Sequence, residues 1–245
     1  MRRVLVVFVC GLVGTVLGAT TYGHNNFPKS CSGLPNAFEL RKLLQDAAQA
    51  DKPIGGLFEG ERMWGAVVDR DGEFCAANTS TSDRTQVWPG SQAIAKSKAY
   101  TANAFSLDGL ALSTARLYTF TQPGHSLWSL GQSNLFDTKF LLAPSQANAI
   151  KNQINGGLIF FGGGVPLYKD GEIIGGLGVS GDTSCADHEI AKRVRDLAGL
   201  NPPGGPLADD IVYETSVFAH PVCLNTYRNH VKIGDEAEAV YPFRP

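Results

Sequence analysis

The stretch from residue 156 to residue 197 is rich in glycine and constrains the fold more than any other part of the chain. It reads GGLIFFGGGVPLYKDGEIIGGLGVSGDTSCADHEIAKRVRDL. Lys169-Asp-Gly171 is a turn signal between two short apolar runs, which predicts a hairpin of strands over residues 165–168 and 172–179. A further strand is expected over residues 158–161. The stretch therefore predicts consecutive short strands that are followed by a helix.

That helix has clear end signals. Thr183 or Ser184 is a suitable N-cap, the helix is expected to run to about Leu197, and Gly199 ends it. Helical spacing of apolar residues also predicts helices over residues 36–50, 91–105 and 110–120, the first with Asn36 as its N-cap.

A second hairpin is predicted earlier in the chain, over residues 64–68 and 73–77, because Asp69-Arg-Asp-Gly72 is a turn signal. Residues 121–145 lack a regular period and are expected to form a long loop, of a size that is usually functional. The resulting order of helices and strands predicts an antiparallel sheet covered by helices, which is an α+β fold.

Gly176-Leu-Gly-Val-Ser-Gly181 matches the spacing of dinucleotide-binding loops. Such a site needs a parallel βαβ unit with an acidic residue after the second strand. Here the preceding strand belongs to a predicted hairpin, and Asn201-Pro-Pro-Gly-Gly205 stands where the second strand is required. We therefore expect no dinucleotide cofactor and interpret the glycines as shaping the hairpin and a strand break.

The N-terminus has the pattern of an export signal. Arg2 and Arg3 precede an apolar run, and small residues near Ala19 offer a cleavage site. We expect residues 1–19 to be removed, which predicts a secreted or periplasmic protein with no membrane attachment after cleavage. The remaining chain has 19 basic and 23 acidic side chains. This balance favours no nucleic-acid partner.

Four cysteines follow the signal, namely Cys31, Cys75, Cys185 and Cys223. An even number in an exported chain favours disulfides. The spacings Cys185-x-x-His188 and His220-x-x-Cys223 are also compatible with tetrahedral zinc. A Cys185–Cys223 disulfide, with Cys31–Cys75 as the second bridge, is the favoured interpretation. Zinc on Cys185, His188, His220 and Cys223 and unpaired thiols are the alternatives.

The Cys185–Cys223 pairing also brings His188 and His220 into one neighbourhood, with Asp182 and Asp187 close by. Histidine beside a carboxylate is a workable general base at neutral pH, so these four are candidate catalytic residues. The structural alternative is that Asp187 complements the helix dipole in the first turn while His220 packs beneath the C-terminal tail. Both interpretations stay open on the sequence.

Two motifs resemble those of a known family. The block GGGVPLYKDGEIIGGLGVSG at residues 162–181 and the helix segment AKSKAYTA at residues 95–102 are similar to motifs of the GlcG/HbpS family. The resemblance implies a profilin-like fold, in which a five-stranded antiparallel sheet lies between helical layers in an α/β/α arrangement. It predicts this domain over residues 36–198, after an extended arm at 20–35. Residues 199–245 are then a C-terminal extension packed on the domain.

The resemblance also implies a function, namely an exported protein that binds a small ligand and forms a homo-oligomer. Haem or another tetrapyrrole is the leading ligand. His125, His188 and His220 are candidate iron ligands, Lys98 is a candidate partner of the propionates, and Tyr118 is a candidate pocket residue. Two other hypotheses are an enzyme of the lyase, isomerase or hydrolase class that uses the His/Asp cluster, and a non-catalytic structural module.

Overall fold

The computed structural model describes residues 31–50, 52–141 and 153–234. The predicted signal at residues 1–19 lies outside the described residues. The same holds for most of the predicted arm, for residues 142–145 of the predicted loop, and for the end of the extension from residue 235 onward.

A four-stranded antiparallel sheet forms the centre of the fold. Its strands follow the order β2-β1-β4-β3, and both predicted hairpins are confirmed because β1 pairs with β2 and β3 pairs with β4. The strands are β1 (Trp64–Asp69), β2 (Phe74–Thr79), β3 (Gly164–Lys169) and β4 (Glu172–Ser180). The two central strands β1 and β4 are also antiparallel, so the glycine motif of β4 is not part of a parallel βαβ unit.

Helices cover both faces of this sheet. The covering helices are α1 (Ala37–Gln49), α2 (Ser91–Phe105) and α4 (Ser184–Leu197), and the single turn α3 (Leu130–Ser133) lies within the predicted loop. Val67 packs in the core beneath α1 and α4, whereas its neighbours Ala66 and Val68 pack in the core beneath α2. This alternation is expected for a strand that is buried on both faces. The mixed helix-and-sheet class is confirmed with four strands in the described sheet, not the five that the resemblance implied.

Local signals place three of the helices as predicted. Asn36 caps α1 through a capping box with Glu39, which pairs two otherwise unsatisfied backbone N–H groups. Thr183 caps α4 by accepting a hydrogen bond from the Ala186 amide at 3.3 Å. The boundaries of α2 coincide with the predicted residues 91–105.

Glycines of β4 let α2 approach the sheet at backbone distance. A Cβ atom on Gly178 would lie 1.9 Å from the carbonyl oxygen of Ala95, and one on Gly176 would lie 2.2 Å from that of Ala99. No side chain fits into either space, because real Cβ atoms do not approach other atoms so closely. The glycine-rich pattern of this strand therefore follows from helix packing.

The strand predicted at residues 158–161 is wrong. The Ile159 amide donates to Thr101 Oγ1 at 3.0 Å, and the Phe161 carbonyl accepts from Thr114 Oγ1 at 2.6 Å. The Leu158 amide donates to the carbonyl of Asn134 at 3.2 Å. Because side chains and a loop carbonyl satisfy these backbone groups, the extended segment forms no ladder with a neighbouring strand.

The helix predicted at residues 110–120 is also wrong. The segment instead forms two short 3₁₀ turns, Thr114–Leu117 and Thr119–Thr121. Its polar side chains bond to the C-terminal extension, since Ser113 Oγ donates to the Asp209 carbonyl at 2.6 Å and Thr119 Oγ1 to the Ala219 carbonyl at 2.7 Å. These tertiary contacts override the apolar spacing that favoured a continuous helix.

The described part of the extension, residues 199–234, lies against α4 and includes a small hairpin of β5 (Thr226–Arg228) and β6 (Val231–Gly234). Asn229 and His230 form its tight turn with φ values of 48° and 68°, as two-residue hairpin turns require. Among the described residues, no helix combines the length and the apolar character that crossing a membrane requires.

Candidate functional site

The start of α4 is the centre of a buried polar cluster. Asp182 lies just before α4, and Asp187 and His188 lie near its start. Each of these side chains is less than 10% exposed, as is His220 from the extension. The structure therefore brings together the four residues that the sequence predicts as a catalytic group. The contacts of each residue define what this group can do.

Asp187 forms a buried ion pair with Lys98 of α2. Lys98 Nζ lies 2.7 Å from Asp187 Oδ2 and 3.1 Å from the carbonyl oxygen of Val179. The other carboxylate oxygen accepts hydrogen bonds from the amides of Gly181 and Asp182, each at 2.9 Å. Burial raises the pKa of Asp187 to about 6, against the lowering effect of Lys98. This pair joins α2, the end of β4 and the first turn of α4.

Asp182 binds the backbone of the loop that contains Leu57 and Phe58. Its carboxylate accepts hydrogen bonds from the amides of Leu57 at 2.6 Å, Phe58 at 2.7 Å and Thr183 at 2.6 Å. Burial raises the pKa of Asp182, and the backbone hydrogen bonds act in the opposite direction. All of these contacts are structural.

His220 has both ring nitrogens engaged with the backbone. Its Nδ1 lies 2.8 Å from the carbonyl oxygen of Pro221, to which it donates, and its Nε2 accepts from the Gly162 amide at 3.2 Å. Its ring lies 5.0 Å from that of Tyr118. Burial lowers the pKa of His220 to about 4, against the raising effect of the Pro221 carbonyl. His220 is therefore neutral at pH 7.

His188 faces the extension. The Ile211 amide lies 2.9 Å from Asp210 Oδ1 and 3.2 Å from His188 Nε2. The amide donates in both contacts, and His188 Nε2 also lies 3.4 Å from Asp210 Oδ1. Burial opposes ionisation of Asp210, but His188 and the nearby Lys192 hold the pKa of Asp210 well below its usual range.

The structure forms both favoured disulfides. Cys31 is bonded to Cys75, and Cys185 is bonded to Cys223. A disulfide has no thiolate to offer a metal, so the predicted zinc site does not exist in this oxidised form. His188 also points away from the sulfur atoms, towards Asp210, which removes it from the predicted ligand set.

Charged pairs between α4 and the extension were not predicted. Arg195 and Asp209 form a fully buried pair with contacts of 2.6 and 3.0 Å. Asp210 binds Lys192 at 3.2 Å and Arg228 at 3.1 Å. No sequence pattern predicts which residue of an irregular segment pairs with which residue of a helix. The consecutive acids Asp209 and Asp210 beside apolar residues were the one signal that buried basic partners exist.

The residues predicted to contact haem differ in their exposure to solvent. His125 is exposed on the loop, whereas Lys98, His188 and His220 are buried and bonded as described. Tyr118 is half-buried against His220. Among these residues, only the His125 side chain is exposed enough to meet a ligand without rearrangement.

A second exposed histidine, His230, borders a groove between α4 and the extension. The groove has a volume of about 390 Å³, within the range of about 300–1,000 Å³ that small-molecule sites span. Its apolar wall includes Leu197 and Leu207, each about half exposed, and its polar wall includes Lys192 and Arg193. Arg193 Nη2 lies 3.5 Å from His230 Nδ1. The sequence has no motif around His230 that predicts a binding site. His230 borders the groove because it lies in the tight turn between β5 and β6.

The fold and this cluster define an α+β protein with an antiparallel sheet between helices and an extension bonded to the last helix. Residues 36–196 match the family described as haem degrading protein HbpS-like. The chain belongs to this HbpS-like family, as its motifs predict. No curated protein matches the chain.

Several solved structures resemble the chain. They include Klebsiella pneumoniae protein ORFY, with 24% identity and a TM-score of 0.42 over 56% of this chain and 75% of that chain. A PduOC–haem complex has 23% identity and a TM-score of 0.45 over 66% and 91%. HbpS has 21% identity and a TM-score of 0.39 over 64% and 85%. All three TM-scores are below 0.5, so these likenesses do not identify a ligand of this chain.

Proposed function

We propose that this chain is an exported tetrapyrrole-binding protein with haem as its ligand. The observation that carries the proposal is the match of residues 36–196 to a family described as haem degrading. The export signal expected at residues 1–19 and the two disulfides support export, because disulfides persist in oxidising compartments.

The groove beside His230 is the proposed site. It joins an imidazole, a side chain that ligates haem iron in many proteins, to an apolar wall and to two basic side chains. Leu197 and Leu207 provide the surface that one edge of the macrocycle contacts. Lys192 and Arg193 also line the groove, where both pair with Glu189.

The residues of the buried cluster have no such role in this proposal. Lys98 contacts Asp187, and His220 bonds the backbone through both nitrogens. An iron ligand needs an open nitrogen lone pair and space for the macrocycle beside it. The enzyme hypothesis uses the same four engaged side chains and stays a prediction from the sequence, as do the structural module and the homo-oligomer.

A hemin titration tests the proposal. The purified chain is titrated with hemin, and the Soret band reports binding. We expect a saturable shift with one haem per chain, and His230→Ala weakens the affinity at least tenfold or moves the band. Leu207→Asp weakens binding as well, because it places a charge in the apolar wall.

The matched control is His125→Ala, which removes the other histidine that is exposed among the described residues and lies far from the groove in sequence. It leaves the titration unchanged if the groove is the site. A titration without a saturable shift contradicts the haem function itself. A saturable shift that is lost in His125→Ala and kept in His230→Ala contradicts the groove and places the ligand on the loop.

A further inference from the structure

The Cys185–Cys223 disulfide lies beside a third side chain that can bind a metal. Ligand atoms of Cys185, His220 and Cys223 all lie within 4.8 Å of one another, and all three side chains are buried. Ligand atoms around tetrahedral zinc are about 3.5–3.8 Å apart, given Zn–S bonds of about 2.3 Å and Zn–N bonds of about 2.0 Å. Once the bridge is reduced, small side-chain rotations suffice to place the three atoms around one ion.

Two hydrogen-bonding groups lie beside the sulfur of Cys223. The Cys185 amide, at the start of α4, donates to Cys223 Sγ at 3.2 Å. Ser184 Oγ lies 3.4 Å from the same sulfur. Amide donors at a helix N-terminus stabilise negative charge on sulfur, which is the form that a metal binds.

We propose that reduction of this disulfide converts Cys185, His220 and Cys223 into a binding site for a zinc-type divalent cation. His188 is not among the residues whose ligand atoms lie within 4.8 Å of one another in this cluster. Three protein ligands leave a fourth position for water or for Ser184. The site shares no residue with the haem groove, so neither proposal depends on the other.

The chemistry is a two-electron exchange followed by proton release. A dithiol reductant gives two electrons and two protons to the bridge, which becomes two thiols, and the reductant becomes a cyclic disulfide. The cation then displaces one proton from each thiol, and a ring nitrogen of His220 exchanges its backbone contact for the ion. A disulfide oxidant reverses the sequence and releases the cation.

Cobalt(II) is the probe for this site. The chain without the expected signal at residues 1–19 has only the four cysteines of the two bridges. It is reduced with a phosphine, which is oxidised to the phosphine oxide with oxygen from water. Cobalt is then titrated. We expect a thiolate-to-cobalt absorption band that saturates at one ion per chain. Cys223→Ser removes most of the band, and His220→Ala weakens the affinity at least tenfold.

The matched control is Cys31→Ser/Cys75→Ser, because Cys31, Cys75 and Asp69 form the other cluster of possible ligands in the described residues. This variant keeps the band, and the oxidised chain shows none. Circular dichroism and thermal unfolding with and without zinc accompany the titration. A reduced chain that shows no band, or that zinc does not stabilise, contradicts the proposal whether it stays folded or unfolds. A band that survives in Cys223→Ser contradicts it as well.

Discussion

Lys98 of α2 and Asp187 of α4 form a fully buried ion pair, with 2.7 Å between Nζ and Oδ2. The two residues are 89 positions apart in the chain. Their contact joins the helix on one face of the sheet to the first turn of the helix on the other face. Lys98, which the haem hypothesis takes from the sequence, and Asp187, which the catalytic hypothesis takes, are thus bonded to each other in the interior of the fold.

Removal of one partner leaves the other charge buried without its partner. We expect Lys98→Met to lower the free energy of unfolding by about 3–5 kcal/mol, measured by urea denaturation at pH 7. Lys42→Met is the control, because the Lys42–Asp46 pair is exposed and exposed pairs contribute about 0–1 kcal/mol. Equal losses in the two variants contradict the structural role of the buried pair.

Gly178 permits the contact between α2 and β4. We expect Gly178→Ala to cost about 1–3 kcal/mol or more, because the added methyl group overpacks a site that the Ala95 carbonyl fills. Gly90→Ala is the control, since Gly90 has a φ of −63° and no heavy atom within 4 Å of an added Cβ. Chemical denaturation of both variants measures the difference, and an unchanged Gly178→Ala variant shows that α2 does not lie at backbone distance.

Lys96 is buried beside the Phe140 carbonyl and over the Phe74 ring. Burial, with a smaller effect from the charge of Arg84, lowers its pKa from 10.5 to about 8. At a pH between these two pKa values, Lys96 is protonated in the unfolded chain and deprotonated in the folded chain. Stability from this group therefore rises with pH, by roughly 2–3 kcal/mol from pH 8 to 10.5.

The measurement is the free energy of unfolding across that pH range in the wild type and in Lys96→Met. The difference between the two profiles isolates Lys96, because other titrating groups are common to both proteins. We expect the variant to be the more stable protein at pH 7 and to lose this advantage as the pH rises. Parallel profiles contradict the lowered pKa.

Arg195 of α4 forms a buried ion pair with Asp209 of the extension and so stabilises the packing of the extension on α4. We expect Arg195→Met to cost about 3–5 kcal/mol and to expose residues after Gly199 to limited proteolysis. The double variant Arg195→Met/Asp209→Leu recovers part of this loss, since it removes the unpaired carboxylate. Mass spectrometry of the fragments locates the cleavage sites. Cleavage that is equally slow in the wild type and in Arg195→Met contradicts the stabilising role.

The elements with local signals could be predicted from the sequence. Asn36 and Thr183 cap their helices through contacts within a few residues, so nearby sequence contains the cause. The failed predictions at residues 110–120 and 158–161 have a different origin. There Thr101, Thr114 and Ser113 bond to distant backbone groups, and no local pattern records such contacts.

The candidate site divides in the same way. The even number of cysteines in a chain expected to be exported favoured a Cys185–Cys223 disulfide, which the structure forms, and this pairing correctly brought His220 close to the start of α4. The engagement of both nitrogens of His220 depends on Gly162 and Pro221. The groove beside His230 depends on where the extension crosses α4, which has no sequence signature.

The sequence by itself determined the HbpS-like family through its motifs, and the two hairpins and the three long helices through periodicity, caps and turns, which act over short distances. It favoured the disulfide pairing that the structure forms but left zinc and unpaired thiols as alternatives. The tertiary structure alone decided which polar residues are accessible. Packing buried Lys98, Asp187 and His220 and gave them hydrogen-bond partners within the fold, and it left His230 exposed beside a groove. Those outcomes depend on the packing of distant segments, which the order of residues does not display.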